Sequence, residues 1–197
     1  MTQPQFCQDC ATPLQWIEQV EDGGPKARLR CPRCGHTHWN NPTPVLAAIV
    51  EYRGQVLLAR NAAWPPTMFA LITGFMEAGE TPQEGVAREV KEETNLDVSA
   101  CSIVGAYDFQ RMNQVIIAYH VRADGEIKLS PELLDYRLYD LAALKCWPAG
   151  TGYALADWLR SRGHTPVFFT DAENEERRRG LALLSAADEE KKVHDAD

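Results

Sequence analysis

The sequence predicts an α+β chain, with a mixed β-sheet between helices and a small cysteine-rich module in front of it. Three observations carry that expectation. Two Cys-x-x-Cys pairs lie near the start, at Cys7/Cys10 and Cys31/Cys34. Short β-rich apolar runs, separated by turn signals, fill the middle of the chain. Among those runs sits one capped helical segment, GFMEAGETPQEGVAREVKEETNL, which gathers six glutamates.

Length and composition set the limits. A chain of 197 residues suits one domain with a small appendage. The net charge of −8 disfavours a general nucleic-acid binder, because phosphate contacts need clustered Lys and Arg. No apolar run is long enough to span a bilayer. The N-terminal stretch MTQPQFCQDC lacks a basic segment followed by an apolar one, so no secretory leader is read and the cytoplasm is the expected compartment. Cysteines there are more often metal ligands than disulfides.

The cysteine module comes first. A tetrahedral Zn²⁺ takes four thiolates, and each Cys-x-x-Cys turn can aim two sulfurs at one ion. The gap from Ala11 to Arg30 matches zinc-ribbon spacing. Gly35 lets the chain turn tightly behind the second pair. Cys7, Cys10, Cys31 and Cys34 are therefore the expected Zn²⁺ ligands. A full thiolate shell leaves no open position, so this ion holds structure. His36 and His38 are expected beside the knuckle, and Cys101 and Cys146 read as core thiols. The ribbon is assigned to residues 1–40.

Asn40 to Pro44 reads as a linker. Val45–Tyr52 and Gln55–Arg60 form a predicted hairpin about Arg53-Gly54. NAAWPPTM is a loop, and Phe69–Thr73 a short strand. Beyond the acidic segment, Val98–Phe109, Gln114–Ala123 and Tyr136–Leu141 are strand-like, with a turn or short helix over Pro131–Asp135. Thr151–Gly163 has helical spacing and a glycine stop. This main domain is assigned to residues 41–165, and residues 166–197 to a charged tail that is partly disordered or forms a surface helix near Leu181–Leu184. Arg177-Arg178-Arg179 reads as a solvated face.

Inside the acidic segment, Thr81 is an N-cap, Pro82 suits the first helical position, and Glu84 completes a capping box. The helix should run from Pro82 to about Thr94 and stop at a left-handed Asn95. Val86 and Val90 face the core, while Glu89, Glu92 and Glu93 share a face and Arg88 points elsewhere. Three carboxylates on one face repel each other. Either water solvates them, or a hard cation such as Mg²⁺ or Mn²⁺ sits among them. The glycine-bounded loop Gly74–Gly79, which carries Glu77, leaves backbone groups free to approach a metal or a phosphate.

Gly74-x₅-Glu80-x₇-Arg88-Glu89-Val90-Lys91-Glu92-Glu93-Thr94-Asn95-Leu96 closely resembles the Nudix box, with Asn95 in place of the last glycine. The resemblance implies a mixed sheet between helices and hydrolysis of a nucleoside diphosphate linked to another moiety. It implies that Glu89, Glu92 and Glu93 hold Mg²⁺ or Mn²⁺ with help from the backbone near Thr73–Gly74, and Glu77 in the loop is a further candidate ligand. It also implies that Glu80 pairs structurally with Arg88. The general base is left open among Glu92, Glu93 and a glutamate outside the box. Glu132, in SPELLDYRLY, resembles a metal-binding glutamate of NADH pyrophosphatases, and a plain turn carboxylate is the alternative.

A ribbon followed by this box is similar to NADH pyrophosphatases and to zinc-ribbon hydrolases of ADP-ribose or FAD. The S-Q-P-W-P-F-P-x-S motif of the first group is absent. Ala106–Gln114 stands there, and Asn113-Gln114-Val115 resembles the second group. Phe69, Phe75, Tyr107 and Phe109 are candidates for stacking on a base, with core packing as the alternative, and Arg111 for a phosphate. Such enzymes are often dimers, which sets a homodimer as the expectation. Nucleic acid is not expected as a partner except as capped RNA. The rival reading is a nucleotide sensor with little turnover whose ribbon contacts nucleic acid or protein. Prenyl-diphosphate isomerase chemistry finds no motif in support.

Overall fold

A computed structural model describes residues 3–179. The chain divides after Pro42 into two compact units.

The first unit is a three-stranded antiparallel sheet, β1 (Gln15–Glu21), β2 (Gly24–Arg30) and β3 (Thr37–His38). Two knuckles face one another at its end. Their four sulfurs lie within 4.8 Å of one another. Behind the second knuckle Gly35 sits at φ 77°, and its N–H donates to the Cys31 carbonyl over 3.0 Å. The first knuckle turns at Ala11, φ 54°, without a glycine. His36 lies outside the sulfur cluster, with Nδ1 2.9 Å from Asp9. Glu21 ties the sheet together by accepting from both Arg28 and Arg30.

The second unit holds a six-stranded mixed sheet in the order β7-β8-β4-β5-β9, with β6 also paired to β4. Its strands are β4 (Thr43–Tyr52), β5 (Gln55–Asn61), β6 (Ile72–Phe75), β7 (Asp97–Phe109), β8 (Gln114–Asp124) and β9 (Leu133–Tyr139). The β4–β8 pair is parallel and the other pairs are antiparallel. Strand β4 is buried from Val45 to Val50 because both of its faces are covered. Leu46, Ala48 and Val50 pack with Val86 and Val90 of α1 (Pro82–Thr94). Val45, Ala47 and Ile49 face the other way, in clusters that hold Ala154 and Leu155 of α2 (Thr151–Ser161). A near-continuous apolar run is what a strand buried on both faces requires. The two helices thus lie on opposite faces of one sheet.

Strand β4 is shared lengthwise. Val45–Ala48 pair with β6, and Val50–Tyr52 pair with β5. The strand expected over Phe69–Thr73 is therefore displaced to Ile72–Phe75, and Ala70 makes only an isolated bridge to Ala59. Pro131 and Glu132 form a turn, and β9 starts at Leu133, earlier than the sequence suggested.

Beyond α2 the described chain is ordered into structure. The two-residue strand β11 (Val167–Phe168) pairs in parallel with β10 (Lys145–Cys146). Helix α3 (Asp171–Arg178) follows, closed by a Thr170/Glu173 capping box. Arg177 is buried while Arg178 and Arg179 are exposed, so the solvated face expected of the arginine triplet holds for two of its members and not for Arg177. Phe169 and Trp147 lie beneath its guanidinium, and rings accept a cation at such a contact. The stretch Leu181–Leu184 lies outside the described residues. No helix among the described residues is long and apolar enough to cross a membrane.

Candidate active site

Helix α1 begins where the sequence places it. The Thr81 hydroxyl accepts from the Glu84 N–H over 3.3 Å, and Glu84 Oε2 accepts from the Thr81 N–H over 2.8 Å. Asn95 ends the helix at φ 62°. With Val86 and Val90 buried against the sheet, the rotation of the helix is fixed, and so is the carboxylate face.

The loop before the helix is clamped to it by one ion pair. Arg88 Nε and Nη2 donate to the two oxygens of Glu80 over 3.0 and 2.9 Å. Nη2 also donates to the Phe75 carbonyl over 3.2 Å, and Glu80 Oε1 accepts from the Glu77 N–H over 2.7 Å. Gly85 makes room for this clamp. A Cβ there would stand 2.4 Å from both Glu80 Oε1 and Leu46 Cδ1. The sequence reading missed Gly85, because its reason is a contact with another element.

Arg88 does more than anchor. Its Nη1 donates to Glu89 Oε1 over 2.8 Å and to Glu92 Oε2 over 2.9 Å. The expectation that it points away from the carboxylate face is thus corrected: the guanidinium is long enough to bridge Glu80 and that face together. Glu89 and Glu92 each engage Arg88 through a single oxygen and keep the other.

Glu89 lies flat against β6. A Cβ on Gly74 would come within 1.9 Å of its carboxyl carbon and 2.0 Å of Oε1. Only glycine at this position lets the carboxylate sit on the strand backbone. Gly74→Ala should displace Glu89 and lower turnover at least about tenfold, with a melting temperature within a few degrees of wild type. Steady-state assays beside thermal denaturation check this, and unchanged turnover would show that Glu89 is not needed at that spot.

Glu93 is the unusual group. Burial, and then the charges of Glu89, Glu132 and Glu92, push its carboxyl up to about 8. Burial likewise raises Glu89, although Arg88 opposes the shift. Among the described residues no Lys, Arg or His forms an ion pair with Glu93. The segment carrying Glu132 is strapped to the end of α1, where the Ser130 N–H donates to the Glu93 carbonyl over 3.0 Å and the Lys128 N–H to Thr94. Glu132 itself is exposed, as is Glu77. The carboxylates gather but do not converge: among the described residues, only the four cysteines bring three or more ligand atoms within 4.8 Å of one another. A partly buried, oxygen-only donor set with surplus negative charge fits a hard divalent cation.

On the other face of β6 lies a cleft of about 380 Å³. The register separates the two sites. Gly74 pairs with Leu46, which faces α1, and Thr73 pairs with Ala47, which faces α2. Thr73 lines the cleft together with Trp64, Phe109, Trp147, Arg111 and Gln114. Among the described residues no Asp or Glu lines it. Two of the sequence candidates, Phe109 and Arg111, reach this cleft, and the Arg111 guanidinium stacks 4.6 Å from the Phe109 ring. Phe69 is in the core, Phe75 is exposed, and Tyr107 donates to Asp157 over 2.9 Å, binding β7 to α2. Trp64 and Trp147 were missed, since a lone tryptophan in a loop carries no periodic signal.

The comparisons follow the same lines. The family model described as "NUDIX domain" matches residues 41–159, and that described as "Nudix N-terminal", a zinc ribbon, matches residues 5–40. The chain belongs to the Nudix family. Its N-terminal unit is a Nudix-type zinc ribbon in fold, and its second unit a Nudix domain. A crystal structure of a NUDIX hydrolase from Nitrosomonas europaea matches with a TM-score of 0.67 and 28% identity, covering 84% of this chain and 97% of that one. The protein named "NAD-capped RNA hydrolase NudC" from Stutzerimonas stutzeri is 28% identical over 151 residues, 76% of this chain and 52% of that protein. Its namesake from Pseudomonas aeruginosa is 29% identical over 146 residues, 73% of this chain and 50% of the other. The chain therefore spans about half the length of the curated relatives it matches.

Proposed function

We propose that this Nudix domain hydrolyses a diphosphate that links a nucleoside to a second moiety, releasing a nucleoside monophosphate. The observation that carries this reading is the half-buried Glu93, which has three carboxylate neighbours and, among the described residues, no ion-pair partner, one strand away from an aromatic cleft that no described Asp or Glu lines. Glu89, Glu92 and Glu93 would hold Mg²⁺ or Mn²⁺, with Glu132, Glu77 and the Gly74 backbone within the same region. When bound, the ion neutralises diphosphate charge and lowers the pKa of the attacking water.

The chain's own residues do the rest. The Glu80–Arg88 clamp holds the loop and helix in one geometry. Trp64 and Phe109 offer rings to the base, and Arg111 offers a guanidinium to a phosphate. A glutamate accepts the water's proton, and the raised Glu93 and the exposed Glu132 are the candidates. NAD(H), ADP-ribose and FAD are the proposed substrate class. The names of the relatives add NAD-capped RNA to the compounds worth testing.

Zn²⁺ is the proposed ion of the cysteine cluster, since four sulfur donors suit it and a reducing cytoplasm keeps them as thiolates. We also propose a homodimer, and light scattering that returns the monomer mass would refute that part.

The test is a panel assay. NADH, NAD⁺, ADP-ribose, FAD, diadenosine polyphosphates, nucleoside triphosphates and an NAD-capped RNA are each incubated with and without Mg²⁺ or Mn²⁺. Divalent-dependent AMP release from a few of them is expected. Tight binding without release from any would favour the sensor.

A further inference from the structure

Helix α3 lies beyond the segment matched by the Nudix model, which ends at residue 159. It nevertheless forms part of the cleft, through Asn174, Arg177 and Arg178. Several contacts fix it there. Arg177 donates to the Phe69 carbonyl and lies 4.6 Å over the Trp147 ring. The Thr67 hydroxyl donates to the Arg177 carbonyl over 3.2 Å, and Lys145 pairs with Glu173 over 2.6 Å. A buried guanidinium bonded to backbone and packed on two rings acts as a peg. Because of that peg, its neighbours on the helix are held over the cleft rather than left to sample solvent.

The charges around the cleft are one-sided. Its charged lining residues are Arg111, Arg177 and Arg178. Arg177 is committed to Phe69 and Trp147. Arg111 and Arg178 have no carboxylate partner among the described residues. The chain as a whole carries −8, so a patch that, among the described residues, holds no acid and two guanidiniums without a carboxylate partner is a local departure from its average. Arginine suits phosphate because its planar fork can donate two hydrogen bonds at once. Asn174 stands four residues before Arg178, on the same side of the helix, and offers both an amide donor and a carbonyl acceptor.

We propose that α3 is a substrate-reading element of this enzyme, in which Arg178, together with Arg111, holds the phosphate of the nucleoside monophosphate half and Asn174 meets its sugar or base. This rests on the reading that the cleft takes the nucleoside half of a nucleotide. It adds a binding residue from outside the family's core domain, and it places part of the substrate preference in the segment after α2.

Calorimetric titration of the full chain with AMP and with adenosine, in buffer free of Mg²⁺ and Mn²⁺, tests the proposal. Arg178→Ala should weaken AMP about tenfold or more, the scale of a lost charged hydrogen bond. Adenosine affinity should stay within about twofold, because it carries no phosphate. Arg178→Lys should fall between the two, keeping the charge and losing the fork. Unchanged AMP affinity in Arg178→Ala would overturn the proposal. So would an equal loss for AMP and adenosine, which marks a structural role only. Failure of the wild type to bind AMP at millimolar concentration would overturn it too. Arg178 is exposed, and unchanged melting of Arg178→Ala and Arg178→Gln confirms that folding is not what is read. The two readings fail separately. AMP binding that depends on Arg178 with no turnover across the panel sinks hydrolysis alone, whereas turnover with an indifferent Arg178→Ala sinks the role of α3 alone.

Discussion

Glu93→Gln should lower kcat by about a hundredfold or more while the Nudix domain keeps its fold. The substitution is nearly isosteric and removes the negative charge that Glu93 would carry when a cation holds it ionised. Glu93 makes no ion pair among the described residues, so its neutralisation breaks none. It also relieves repulsion from Glu89, Glu132 and Glu92, the charges that help to push the carboxyl up to about 8. The variant should therefore melt at or above the wild-type temperature in Mg²⁺-free buffer. Added Mg²⁺ should stabilise the wild type more than the variant, because an ion that binds only the folded state shifts unfolding by mass action. Turnover within a few-fold of wild type would remove Glu93 from the metal site. A large drop in melting temperature would mean that the residue serves the fold instead.

Cys31→Ser should cost the N-terminal unit its metal and its structure. The reason is how little else holds that unit together. Its buried hydrophobic side chains are Cys7, Leu29 and Cys31, while Phe6, Trp16, Val20 and Trp39 are exposed. Zinc in small thiolate sites supplies about 10–16 kcal/mol of apparent binding free energy, more than such a core can provide. The full chain should carry one zinc and the variant far less, measured by elemental analysis. Limited proteolysis should then cut the variant rapidly between Phe6 and His38. Full zinc retention, or unchanged resistance to protease, would show that the remaining three sulfurs suffice.

Much of this could be read without a structure because the signals are local. The capping box at Thr81 and Glu84, the left-handed Asn95, and the knuckle glycine at Gly35 all depend on residues within a turn of one another. The apolar, β-rich run Val45–Tyr52 likewise announces a strand. Where neighbours in sequence are not neighbours in space, the reading slipped. Phe69–Thr73 has strand composition, yet its pairing is decided by β4, which accepts β6 only over Val45–Ala48. Tyr107 and Phe69 are as aromatic as Phe109, yet one clips α2 and the other fills the core.

The sequence by itself determined the two-part organisation, the cysteine cluster, the capped helix and the set of glutamates on it. The helix and its glutamates follow from spacing along one element, where a periodicity of 3.6 residues fixes which side chains share a face, and the cysteine cluster follows from the short spacing within each of two Cys-x-x-Cys turns. Only the tertiary structure decided how those pieces are used. It set Glu89 on the backbone of Gly74, let Arg88 span from Glu80 to Glu92, and gave Glu93 three carboxylate neighbours and, among the described residues, no ion-pair partner. It also brought Arg177 to Phe69 across the length of the domain, so that a charged C-terminal segment became a wall of the cleft. Such contacts arise from packing between elements far apart in the chain, and no local pattern encodes which distant residue will fill the space.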